Sequence, residues 1–138
     1  MHRGMIYGIC HRFGWRSTPD QINPSGLWKW WDEFEIQTAK MLGYWMNDCL
    51  VKTSHNDIKA TAYVHPKKRV AIAVASWADE TVNVKLELDW EAVGLSPDKA
   101  VVSLPEIPMF QETVSKVSLD SLSIEPGKGF ILVVSSTP

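Results

Sequence analysis

Hydrophobic positions follow two rhythms along this chain, and the change comes near residue 57. From Asp57 onward the period is two. "DIKATAYVH" sets Ile58, Ala60, Ala62 and Val64 against polar neighbours, the pattern of a half-buried strand. "HPKKR" then supplies a proline-containing turn, with Lys67, Lys68 and Arg69 at a hairpin tip. "RVAIAVASW" is apolar at both parities, which predicts a central strand covered on both faces. "TVNVKLELDW" alternates Val82, Val84, Leu86, Leu88 and Trp90 inward with Asn83, Lys85, Glu87 and Asp89 outward. "DWEAVGL" predicts one helical turn, capped by Asp89 and stopped by Gly94. Shorter strands are expected around 100–104, 114–119 and 122–124; "EPGKG" is a tight turn and "FILVVSS" a final buried strand. Six or seven short strands separated by turn signals predict a mainly β fold, an antiparallel β-sandwich.

The first fifty residues read differently. "GMIYGI" predicts a buried strand ending near Cys10, and "HRFGWRSTPDQ" a loop. Asn23-Pro24 predicts a helix start, with Asn as N-cap and Pro at the first helical position. Leu27, Trp30, Trp31 and Phe34 then recur at helical spacing and form one apolar face. "AKMLGYW" predicts another short strand. Strand, loop, helix, strand is α/β grammar, too short to close a layer alone. The expected organisation is therefore an α/β segment over 1–48 followed by the sandwich over 49–138.

Composition narrows the function classes only modestly. The chain has 138 residues, 45% hydrophobic and 22% charged, with a formal net charge of −2. That balance gives no electrostatic footprint for nucleic acid or an anionic membrane. Two cysteines, Cys10 and Cys49, lie far apart, without CxxC or Cys/His spacing, so no metal site and no cofactor are expected. A disulfide between them stays open, and two buried free thiols are the simpler reading. No apolar run approaches the length of a membrane span, and "MHRGMIYGICHRFGW" is not a signal peptide.

The candidate chemistry concentrates in "GLWKWWDEF", which mixes three indoles with Asp32, Glu33 and Phe34, and Glu35 follows. Paired carboxylates can hydrolyse a glycoside only when they flank a sugar from two sides. Neighbours on one helix do not clasp a substrate, so these acids read as a solvated face. Trp30 and Trp31 read as packing residues, whereas Trp28 falls at the flank of the stripe, in a position suited to an interface. His55 and His65 are isolated, and His2 is expected in a disordered terminus. Ser76 and Ser103 lack a triad pattern, and "GKGF" lacks the spacing of a phosphate loop. Trp77 and Trp90 read as core or lid residues.

The strings "YGICHRFGW", "LWKWWDEFEIQTAKMLGYW", "SWADETVNVKLELDWEAVGL" and "IEPGKGFILVV" together resemble the C-terminal end of large glycoside-hydrolase-like proteins, the set related to glycoside hydrolase family 123. The resemblance implies that residues 1–48 correspond to the last strand, loop and helix of a (β/α)8-type catalytic barrel, with the sandwich appended. It implies that the catalytic centre lies upstream, so no catalytic residue is assigned and this chain alone is expected to be non-catalytic. Loops after barrel strands build active sites, so His11, Arg12 and Trp15 become substrate-binding candidates. Leu27, Trp28, Trp30, Trp31 and Phe34 become a docking helix toward the barrel, or a self-association face in a lone chain. A stand-alone carbohydrate-binding module using exposed tryptophans is the alternative. The expected partners are the barrel and, in the alternative, a carbohydrate, with neither nucleic acid nor membrane.

Overall fold

The computed structural model describes residues 2–10 and 23–137. Among the described residues three α-helices and nine strands follow in chain order: α1 (His2–Ile6), α2 (Ser25–Phe34), β1 (Lys40–Leu42), β2 (Val51–Thr53), β3 (Ile58–His65), β4 (Arg69–Ser76), β5 (Val82–Val84), β6 (Leu86–Leu88), α3 (Trp90–Val93), β7 (Ala100–Ser103), β8 (Leu122–Ile124) and β9 (Gly129–Ser136). Five strands form one antiparallel sheet in the order β1-β3-β4-β9-β7, while β2-β6 and β5-β8 form two small antiparallel sheets. The mainly β, antiparallel class read from the sequence is the class observed.

β4 explains the layering. Its even positions Val70, Ile72 and Val74 enter one core with Ala60, Ala62 and Val64 of β3 and Leu132 and Val134 of β9. The same core takes Val51, Val82, Val84, Leu86, Leu88, Leu122 and Ile124 from the two small sheets. The odd positions Ala71, Ala73 and Ala75 enter a second core, which α1 and α2 cover with Met5, Ile6, Leu27, Trp30, Trp31 and Phe34. A row of alanines on a central strand leaves room for indoles to approach the sheet closely. The chain thus stacks helices, a five-stranded sheet and the small sheets, with a core at each junction.

Local signals acted where they were read. Asp89 Oδ1 accepts from the Ala92 amide at 3.0 Å, and Gly94 ends α3 with φ of 75°. The start of α2 is shifted by one residue: Pro24 sits at the cap position, while Asn23 Oδ1 accepts from the Ser25 amide.

Four expectations need correction. "GMIYGI" is not a strand; His2–Ile6 is helical. Thr61 Oγ1 donates to the Ile6 carbonyl at 2.7 Å and the Tyr63 hydroxyl to the Met5 carbonyl, so β3 holds this segment by side chains rather than by a ladder. The outer edge of β3 is already taken by β1. His2 consequently lies partly buried in α1 instead of in a disordered terminus. "TVNVKLELDW" is two strands, because β5 pairs with β8 and β6 with β2, while Trp90 opens α3. Residues 114–119 form no strand beyond the single bridge Leu104–Val114, and β2, at Val51–Thr53, is an added strand.

Candidate functional site

The residues foreseen as functional separate into three groups. His11, Arg12 and Trp15 lie outside the described residues. Leu27, Trp30, Trp31 and Phe34 form the single helix face foreseen, but that face is buried against this chain's own sheet, with exposures of 3–7%. It is covered within the chain. Trp28 is half-buried at the flank of the stripe. The acids of α2 point outward: Glu33 meets Lys29 at 3.6 Å and Glu35, just past the helix, meets Arg69 at 3.4 Å. Asp32 is exposed as well.

The remaining candidates have structural surroundings. His65 Nε2 lies 2.9 Å from the Phe34 carbonyl, and His55 Nδ1 accepts from the Asp57 amide. Cys10 and Cys49 are free thiols, each pushed up in pKa chiefly by burial. Among the described residues no three metal-ligating side chains converge, and no helix is long and apolar enough to cross a membrane.

A different set of residues forms the most conspicuous surface. Tyr7, just past α1, stacks on Trp45 with ring centroids 5.9 Å apart and planes 19° apart. Tyr44 meets both rings edge-on, at 6.2 Å from Tyr7 and 5.3 Å from Trp45. Trp77 meets Tyr7 edge-on at 6.2 Å. These are the offset-stacked and T-shaped arrangements that ring quadrupoles favour. Two cations close the cluster: the Arg3 guanidinium lies 4.9 Å from the Trp77 centroid and Lys59 Nζ 5.2 Å from that of Tyr44. The neighbouring Tyr44 side chain, and then desolvation, raise the Tyr7 pKa above the usual tyrosine value.

The turn after β1 makes this cluster. Met46 closes it by bonding its amide to the Gly43 carbonyl at 2.9 Å. A Cβ on Gly43 would meet the Trp45 ring at 2.6 Å, so glycine alone lets the indole fold back over the chain. Tyr7, Tyr44 and Trp45 nevertheless keep 51%, 37% and 52% of their surface exposed, with Ile9 at 51% and Met46 at 36%. Beside them, a cleft of about 530 Å³ opens between Cys10, Trp31, Met41 and Tyr63. The Trp31 Nε1 donor has no hydrogen-bond partner among the described residues.

The family described as "Glycoside hydrolase 123, C-terminal domain" matches residues 23–135, most of the chain. The chain belongs to this family. No curated protein and no solved structure matches it. The glycoside hydrolase 123 C-terminal domain, as matched here, begins just before α2 and runs through β9, across the boundary expected near residue 48. Residues 2–10 precede the matched domain yet complete its helix-side core, since Met5 and Ile6 are fully buried.

Sequence reasoning missed Tyr7, Tyr44, Trp45, Arg3 and Lys59. "MLGYW" carried the one available signal: after buried Leu42, Tyr44, Trp45 and Met46 are large, consecutive and apolar, a run that no strand or helix face can bury. Tyr7 was hidden by the strand reading of "GMIYGI".

α1 also carries a titration. Burial first, and then the amino terminus and Lys128, lower the His2 pKa from 6.5 to about 4. The unfolded chain therefore takes up a proton near pH 6.5 that the folded chain refuses until about 4. The stability tied to neutral His2 is complete above pH 6.5, falls as pH drops, and is gone below about 4. Urea unfolding at pH 7 and pH 4.5 should differ by on the order of 2 kcal/mol from this group. His2→Gln should flatten that difference; an unchanged pH dependence would show that His2 is solvated.

Proposed function

We propose that this domain is a non-catalytic accessory and stabilising region of a glycoside-hydrolase-like protein acting in carbohydrate metabolism, with catalysis supplied by a barrel-type domain. Family membership is the observation that carries the reading. The arrangement of acids supports it: Glu33 and Glu35 are each engaged with a cation on an exposed surface, and among the described residues Asp32 is the one carboxylate that lines the 530 Å³ cleft. Glycoside hydrolysis needs two such groups on either side of one sugar. The test is an assay of the pure chain on aryl glycosides, alongside the two-domain protein, barrel plus this domain. We expect turnover by the two-domain protein only. Hydrolysis by the chain alone, abolished by substitutions in its own acids, would refute the reading.

A second reading, a carbohydrate-binding module, is favoured by one observation, the exposed rings of Tyr7, Tyr44 and Trp45. It predicts retardation on polysaccharide affinity gels that weakens in Trp45→Ala. Equal mobility across a broad glycan panel would remove it.

A further inference from the structure

Resting on the accessory reading above, we propose that the aromatic patch of Tyr7, Tyr44 and Trp45, with Ile9, Met46 and Lys59 around it, is the surface on which the catalytic barrel sits. Three observations select a folded protein partner as its occupant. The first is composition. Exposed Tyr, Trp and Met beside a cation is what the centre of a protein interface contains, and aliphatic Ile9 and Met46 have no use for a sugar's hydroxyls. The second is ring geometry. A sugar-binding platform offers a row of free ring faces, but here Tyr7 stacks on one face of Trp45, Lys59 lies over one face of Tyr44 and Arg3 over one face of Trp77. The rings are thus already tied to one another and to cations as a fixed relief, which fits packed side chains. The third is position in the chain. Tyr7 and Ile9 come from the stretch before the matched domain, and Tyr44, Trp45 and Met46 come from within it. Residues 2–6 are anchored beside the patch by Arg3 on the Ser76 carbonyl and by Thr61 and Tyr63 on Ile6 and Met5. A body joined ahead of this domain is thereby tethered to the face that carries the patch.

Charge adds a prediction about the barrel's side. Arg3 and Lys59 meet no carboxylate among the described residues, whereas the nearby Lys40 is paired with Asp48 at 3.7 Å. The partner surface should therefore be apolar at its centre, with one or two carboxylates at the rim opposite Lys59. Such rim pairs steer association more than they tighten it.

Hydroxyl-radical footprinting decides the matter, comparing the chain alone with the two-domain protein. Tyr7, Tyr44 and Trp45 should be oxidised readily in the chain alone and about tenfold more slowly in the two-domain protein, as for side chains moved into an interface core. Met109, 66% exposed and in the loop after β7, should react equally in both. In the two-domain protein, Trp45→Ser and Lys59→Glu should each lower the barrel's thermal midpoint while the isolated variants keep the wild-type midpoint. If the barrel's midpoint drops when this domain is removed but the three rings stay unprotected, the accessory reading stands and the patch proposal is overturned. If removing the domain leaves the barrel unchanged, the accessory reading itself fails. Protection of the rings by a soluble glycan, or by dimerisation of the chain alone, would put a different occupant on the patch and overturn the proposal.

Discussion

Trp30→Ala should destabilise this chain by about 3–5 kcal/mol, the range for truncating a large buried aromatic. Trp30 is 7% exposed and stacks on Phe34 at 5.3 Å with planes 17° apart. Phe34 in turn lies against His65 at 5.1 Å and beneath the Arg69 guanidinium at 4.8 Å. Removing the indole therefore opens a void over Ala71, Ala73 and Ala75, whose methyl groups cannot fill it. The change to alanine favours the helix by a few tenths of a kcal/mol, so the net loss reports packing alone. Lys29→Ala, one position away and outward-facing, should stay within about 0.5 kcal/mol, because its ion pair with Glu33 is solvated. Guanidinium unfolding of the isolated chain checks both. The comparison also decides what α2 faces. A helix whose apolar stripe waited for a separate barrel would lose almost nothing on this substitution in the lone chain.

The same stripe shows what could be read from sequence and what could not. Helical spacing alone identified Leu27, Trp30, Trp31 and Phe34 as one buried face, because a 3.6-residue period leaves no other arrangement. The partner of that face was written 40 residues later, in the alanines of "RVAIAVASW". Two-sided apolarity there announced a cover on both faces, but sequence does not say which segment supplies the cover. The split of "TVNVKLELDW" was invisible for a related reason. Lys85 leaves one ladder for another by exchanging bonds with Ser54, whose Oγ accepts from its amide, while the in-out alternation runs on unbroken. α1 escaped because five residues are too few to show a period. The aromatic patch was the least legible feature. It joins Tyr7 to Tyr44 and Trp45 across 37 positions, and only the docking of α1 on the five-stranded sheet brings them together.

Gly129→Ala should cost about 3 kcal/mol or more, at the upper end for added volume in a packed site. The sign is unusual. Where the backbone angle allows alanine, replacing glycine in a strand normally stabilises by about 0.4–1 kcal/mol through the unfolded chain, and the angle of Gly129 is not the obstacle, since it is absent from the positive-φ glycines. Space is. A Cβ at this position would collide with the Val74 carbonyl oxygen and lie 3.0 Å from the Ala75 Cα and 2.9 Å from the His2 Cβ. Two of these neighbours are backbone of β4, the central strand, which pairs with β9 through Ala75–Gly129 and is held by β3 on its other side. Neither can yield without breaking a ladder, and only His2 can move, by lifting α1. Gly127→Ala supplies the contrast. Its φ of 67° makes alanine unfavourable by roughly 1–2 kcal/mol, but the nearest atom to its Cβ is Arg3 Nη2 at 3.8 Å, so no packing is lost. Urea denaturation should therefore rank Gly129→Ala well below Gly127→Ala in stability. Footprinting of the Gly129→Ala chain should show Met5 newly oxidised, because the cheapest accommodation undocks α1. Equal stability of the two variants would mean that β4 and β9 separate at this end more readily than their pairing implies.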